Sequence, residues 1–291
     1  MRRGCMCSRI GRLMILALLP LSSGCMENRE KEDRQKDKPF VGEKDKRYMG
    51  RPLRELEEEL KDRDPKVRLN AAKLLSDGPD REAVPALCKA LEDSDTAVAE
   101  QAARGLRWIG PDASAAVPIL VERLKKPPSE VFREAAIAAL GGIGPKAEPA
   151  VPLLVEQLRE KKAPLKTRQA AATALGQIGP VAKAAVPALI DALAEPDLEE
   201  NVVAALIRMG KEARAAVPAL GKKLKLEKAY WLDLVRFLAE IDPSAAKAAI
   251  PDLRTVAASE PVRDQGIVNF RNSQKRIEEA KRLLKELEAD K

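Results

Sequence analysis

Ala185-Val186-Pro187-Ala188-Leu189 decides the fold, because the chain keeps returning to it. Ala83-Val84-Pro85-Ala86-Leu87, Ala116-Val117-Pro118-Ile119-Leu120, Ala150-Val151-Pro152-Leu153-Leu154 and Ala216-Val217-Pro218-Ala219-Leu220 are the same phrase. Ala249-Ile250-Pro251-Asp252-Leu253 is a weaker copy and Arg51-Pro52-Leu53 a stub. The prolines fall at 52, 85, 118, 152, 187, 218 and 251, at intervals of 33, 33, 34, 35, 31 and 33 residues. A period of that size means stacked supersecondary units, none of which buries its apolar face alone.

A second phrase fills the gaps. Its best copy runs from Ala171 to Pro180, with close copies over Ala136 to Pro145 and Ala102 to Pro111, and degraded forms over Ala204 to Lys211 and Val235 to Pro243. Each unit therefore holds two apolar-periodic segments. Each proline stands in the first turn of a helix, where its missing N–H costs nothing. Leu87/Leu91, Leu120/Leu124, Leu154/Leu158, Leu189/Leu193 and Leu220/Leu224 are i, i+4 pairs on one face. Polar turns with capping residues follow at Asp64-Pro65, Ser94-Asp95, Pro128-Ser129 and Pro196-Asp197. Val67, Ala71 and Leu75, or Phe132, Ala136 and Leu140, mark the face of a second helix, which ends at Gly110, Gly144, Gly179 or Gly210.

Composition agrees. The 291 residues are 45% hydrophobic and 33% charged, enough for a folded chain. Only 3% are aromatic, so Ala, Leu, Val and Ile must form the core, which suits thin helix layers. There is no histidine, which excludes Ser-His-Asp and Cys-His catalysis and His-ligated metals. The formal charge is +7; without Arg2, Arg3, Arg9 and Arg12 the balance is 48 basic against 45 acidic residues. With acids and bases interspersed, no nucleic-acid partner is expected.

Residues 1–24 read as an export signal: those four arginines, then the apolar run Leu13 to Leu21, too short to span a bilayer. Ser22-Ser23-Gly24-Cys25 resembles the lipobox of bacterial lipoproteins, although Ser22 stands where Leu is usual. The resemblance implies cleavage before Cys25, acylation of Cys25, and a lipid-anchored chain of the cell envelope facing the periplasm or exterior. An ordinary signal peptide or an uncleaved anchor is the alternative. Residues 25–50 carry mixed charge and few apolar residues and read as a flexible tether reaching roughly 25–30 Å. Residues 51–260 hold the repeats. Residues 261–291 hold an irregular connection, Pro261 to Phe270, and a capping helix, Asn272 to Asp290, with Ile277, Ala280, Leu284 and Leu287 on one face.

The motif Asp64-Pro65-Lys66-Val67-Arg68…Ala71-Ala72…Leu75, repeated around Arg133 and Arg168, resembles HEAT repeats of the phycobilisome-lyase type. The resemblance implies an all-α solenoid of about six helix-pair repeats with a C-terminal capping helix. It also implies a ladder between turn Asp and early second-helix Arg. Asp64 with Arg68 fits this; Ala99, Glu199 and Trp231 stand at the Arg place and break it. Second helices then line the concave side. One aligned column there is Asp77, Trp108, Gly142, Gln177, Arg208 and Glu240. Trp108, Gly141, Gly142, Gly176, Gln177 and Arg208 are the candidate contacts with a protein partner: a shallow glycine floor with an aromatic anchor. Trp108 folded into the core is the competing reading.

Tyr230 and Trp231 read as packing against the terminal helix, or else as a peptide contact. Cys88 reads as a buried, inert thiol beside β-branched columns rather than a nucleophile, and Glu57, Glu58 and Glu59 as a solvated face rather than metal ligands. No cofactor, metal or small-molecule substrate is expected. The chain reads as a non-catalytic binding scaffold. The family resemblance keeps two alternatives open, a bilin-lyase-like enzyme or accessory and a HEAT-like nucleic-acid binder.

Overall fold

The computed structural model describes residues 48–77, 80–225, 230–259 and 267–289. Every element among them is helical. The expected signal, Cys25 and the tether up to Arg47 lie outside the described residues, as does the connection over 260–266.

First helices are α1 (Leu53–Glu59), α3 (Val84–Ala90), α5 (Val117–Lys125), α7 (Val151–Arg159), α9 (Val186–Ala192) and α11 (Val217–Gly221). Their partners are α2 (Pro65–Ser76), α4 (Thr96–Ile109), α6 (Glu130–Ile143), α8 (Leu165–Ile178), α10 (Glu199–Met209) and α12 (Trp231–Ile241). After these six pairs come a short α13 (Pro243–Ala246), α14 (Ile250–Ala258) and α15 (Ile267–Ala289). Second helices stack on one another from α2 through α10, and α15 lies against α14 and α12.

The local reasons are those of the sequence. Pro85, Pro118, Pro152, Pro187, Pro218 and Pro251 occupy the second position of their helices. Asp64, Asp95 and Ser129 cap α2, α4 and α6, accepting from Lys66 N at 2.9 Å, Ala97 N at 2.9 Å and Phe132 N at 2.9 Å. Asp197 is no cap: α10 starts from Leu198 and sets Glu199 and Glu200 against the helix dipole instead. One connection has no counterpart in the sequence reading. After α4, α6, α8 and α10 the chain runs to the next first helix as a seven-residue 3-10 segment, Gly110–Ala116, Gly144–Ala150, Gly179–Ala185 and Gly210–Ala216. These four glycines have φ of +73°, +70°, +78° and +59° with ψ from −134° to −146°, a region open almost only to glycine.

The core follows the expected faces. Ala71, Leu75, Phe132, Ala136, Leu140 and four of the five leucine pairs are buried. Leu224 departs from its pair. Gly221 stands where other first helices carry Val121, Val155 or Ile190, α11 stops there, and Leu224 is left half-buried. Tyr48, expected within the tether, instead belongs to the folded part: it is 4% exposed and donates to Asp80 Oδ2 at 2.5 Å. The terminal helix starts at Ile267, not Asn272. Its buried face is Ile277, Ala280, Leu283 and Leu287, with Leu284 only partly covered. Arg254 clasps Glu288 at 2.7 Å and Arg236 pairs with Glu279, so the helix closes the array as a cap should.

Leu165–Ala192 is long and apolar enough to cross a membrane, but it comprises α8, a 3-10 segment and α9, and 56% of its most apolar window is buried. Its apolarity belongs to the stack.

Two glycine substitutions separate strain from packing. A Cβ on Gly179 meets nothing within 4 Å, so Gly179→Ala carries only backbone strain, about 1–3 kcal/mol. A Cβ on Gly176 would lie 2.5 Å from Ala205 Cα, so Gly176→Val forces α8 and α10 apart and should lower the urea midpoint further than Gly176→Ala does. Equal midpoints for Gly176→Val and wild type would contradict the close stacking.

Candidate functional site

The candidate contacts fall into two groups. At the C-terminal ends of the second helices, Trp108, Gln177, Arg208 and Glu240, each one residue before the last, and Asp77, just past α2, are exposed. Trp108 is 71% exposed, and Arg104 and Arg107 beside it on α4 are exposed too. An indole side chain presents roughly 150–250 Å², so covering this one would contribute about 3 kcal/mol at 25 cal/mol per Å². The core reading of Trp108 is therefore the wrong one of the two.

The glycine floor does not exist as expected. Gly141 and Gly176 are buried and Gly142 is half-buried. Their missing side chains are spent on helix contact. A Cβ on Gly142 would sit 2.6 Å from the Arg107 carbonyl oxygen, one on Gly141 3.0 Å from Ala174 Cα and 2.2 Å from Gln177 Oε1. Gln177 thus lies over Gly141 and fills the space it leaves. Gly105, not singled out in the sequence, meets Ser76 in the same way. The signal was present: Gly or Ala in those columns is what close helix packing demands.

Tyr230 and Trp231 are buried at the start of α12. The Tyr230 hydroxyl donates to Glu199 Oε1 at 2.5 Å. Both residues belong to the stack, not to a peptide-binding surface. Cys88 is half-buried, and burial, aided by the nearby Glu92 carboxylate, pushes its thiol up, away from nucleophilic character. Glu58 pairs with Lys61 at 2.7 Å and Glu59 with Arg51 at 2.6 Å, the behaviour of a solvated face.

The ladder is real, with different partners. Arg68 reaches past Asp64 to the next repeat and forks onto Asp93, Nε to Oδ2 at 2.7 Å and Nη2 to Oδ1 at 2.8 Å. Arg168 forks onto Glu195 at 2.6 and 2.7 Å, and its Nε donates to the Leu158 carbonyl at 2.9 Å. Arg133 donates to Gln157 Oε1 at 3.1 Å. At Glu199 the polarity reverses, with Lys223 donating at 2.5 Å. Where Ala99 leaves the rung empty, Arg123 of the following first helix stacks on Phe132, 5.3 Å from the ring centre. Asp64 was the wrong acid because capping α2 already occupies it.

Charge is also less evenly spread than the sequence suggested. Lys125-Lys126-Pro127-Pro128 and Lys161-Lys162-Ala163-Pro164 are consecutive turns, and those two lysine pairs, with Lys166, are exposed. The turn before them carries Glu92, Asp93 and Asp95, and the turn after them Glu195, Asp197, Glu199 and Glu200.

With this geometry in place, the comparisons can be read. The family model for HEAT repeats matches residues 53–141 and 129–208. The chain is a HEAT-repeat protein. No curated protein matches it in sequence. Among solved structures, a Kap121p mutant is 15% identical with a TM-score of 0.58, covering 81% of this chain and 30% of its own. A complex of Kap95 with Nup1 is 14% identical with a TM-score of 0.50, covering 90% and 38%. The complex of CpcE and CpcF of phycocyanin lyase from a Nostoc species is 24% identical with a TM-score of 0.39, covering 81% and 82%. The first two likenesses show the solenoid fold. The chain spans little more than a third of the Kap chains at most.

The HEAT ladder has a pH signature. Hydrogen bonds from Arg168 hold the Glu195 carboxyl below its usual range, against a smaller opposing push from desolvation. A depressed folded-state pKa stabilises fully above the unfolded value and is lost as pH falls through the folded one. Glu195→Gln should therefore melt below wild type at pH 7, with the gap closing as pH drops below about 4. Arg168→Ala also strands the Leu158 carbonyl and should cost about 1–3 kcal/mol at pH 7. A wild-type-to-Gln gap that stays constant with pH would contradict the pairing.

Proposed function

We propose that this HEAT-repeat chain is a non-catalytic scaffold, held by lipid on Cys25 at a bacterial cell envelope and facing the periplasm or exterior. A protein partner binds the second-helix face around Trp108. The carrying observation is Trp108 itself: a large aromatic, 71% exposed, flanked by Arg104 and Arg107, in a chain whose other tryptophan is fully buried. Aromatic and arginine side chains are the usual energetic anchors of protein interfaces. Kap95, a solenoid of the same fold, is solved in complex with Nup1, so a stacked-helix surface of this kind serves protein recognition. Catalysis finds little support in the residues: the chain has no histidine and the Cys88 thiol is pushed up.

The mechanism is presentation. Cys25 fixes the chain at the membrane, and the charged segment beyond it provides reach. A rigid array then raises the local concentration of whatever it holds.

Expression in a bacterial host tests the anchor. The expected mature mass lacks residues 1–24 and gains acyl chains, and the protein partitions into detergent; Cys25→Ser abolishes both. A full-length, unmodified, aqueous product would overturn the envelope reading and leave the solenoid standing.

A further inference from the structure

We infer that the edge of the solenoid formed by the α5–α6 and α7–α8 turns is a docking surface for an anionic phospholipid bilayer. This rests on the reading that the chain sits at a membrane. The two turns repeat one pattern, Lys-Lys-x-Pro followed by an exposed aliphatic side chain. Lys125-Lys126-Pro127-Pro128 leads to Val131, and Lys161-Lys162-Ala163-Pro164 leads to Leu165. Val131 is 48% and Leu165 42% exposed, and they begin the neighbouring helices α6 and α8. Apolar side chains that solvent would disfavour thus stand among lysines whose long stems can lie along a bilayer with their ammonium groups at the phosphates.

The charges are free to act outward. Lys126, Lys161, Lys162 and Lys166 make no ion pair among the described residues, while Lys125 is held by Glu122 at 2.7 Å. The flanking turns carry acids, several of them already engaged: Asp93 is forked by Arg68, Glu195 by Arg168, Glu199 is bonded by Lys223 and Tyr230, and Asp95 caps α4, which leaves Glu92, Asp197 and Glu200 outside the ladder. The alternation along this edge therefore leaves a patch two repeats wide in which lysines outnumber the acids beside them, Glu122 near Lys126 and Glu160 next to Lys161. Its members project from two turns, and the depressions that Lys161 and Lys162 border are open to solvent. That arrangement fits a planar anionic surface better than a peptide, and juxtamembrane lysines are attracted to such surfaces. Contact here would turn a loosely leashed array into one with a fixed orientation.

The test uses the full chain carrying Cys25→Ser, so that no acyl chain masks the difference, and vesicles of phosphatidylcholine with and without roughly 30% phosphatidylglycerol. Co-sedimentation with the anionic vesicles should fall about tenfold or more when Lys126, Lys161, Lys162 and Lys166 become Gln. It should change less than about twofold when Lys73, Lys146, Lys183 and Lys211, elsewhere on the surface, are changed alike. Val131→Ser with Leu165→Ser should weaken binding at every salt concentration, whereas the lysine effect should fade as salt rises. Matching circular dichroism melts show that each variant is folded. Equal binding by wild type and the four-lysine variant would overturn the proposal. So would capture of polyglutamate, but not of anionic vesicles, by wild type. Because every arm lacks the acyl chain, failure here is distinct from failure of Cys25 acylation.

Discussion

Everything in this molecule depends on how closely successive second helices approach. Gly142 rests on the main chain of Arg107, Gly141 on Ala174, and Gly176 on Ala205. Such contacts exist only because one partner has no side chain. With 3% aromatic residues, the chain cannot fill wide gaps, so it narrows them. The alanines that line the stack, such as Ala102, Ala136, Ala171 and Ala205, are buried for the same reason. Register is fixed by a glycine at positive φ after α4, α6, α8 and α10, and by a capped or acid-biased first turn in α2, α4, α6 and α10.

The polar ladder is a second, weaker layer over that packing. Small apolar contacts between alanine faces distinguish one repeat from another poorly. The rungs differ: Arg68 with Asp93, Arg133 with Gln157, Arg168 with Glu195, Glu199 with Lys223. A mis-stacked order would set Glu199 against Glu195 or Arg168 against Lys223, leaving half-buried charges unmatched. The rungs therefore specify order more than they add stability. By consuming the acids of some turns and not the lysines of others, they also shape the charge of the outer edge.

The fold was legible because the signals that make it are local and repeated: proline in the first turn, leucines four apart, glycine past the helix end. The 3-10 links were not, because Gly-Pro followed by alanines favours no single turn type until the neighbouring link packs on it. Gly141 and Gly176 were misread as open floor. A missing side chain looks the same in sequence whether it makes room for a ligand or for another helix. Trp108 could not be placed by hydrophobicity, which argues for burial; only its position in the column, two residues before the terminating Gly110, pointed outward. The basic edge was hidden by averaging. Charges interspersed along the chain become segregated when each turn is set beside its counterpart one repeat away.

The central claim is that the second-helix face around Trp108 holds a protein partner. Photo-crosslinking in intact cells of the native host tests this, with a benzophenone amino acid at position 108 and, separately, at the exposed Lys183 on a 3-10 link. The account predicts a discrete protein adduct from position 108, absent from position 183 and lost when Arg104 and Arg107 are changed to Glu. Adducts of equal yield from both positions, or none from 108 in cells that retain the folded chain, would contradict it.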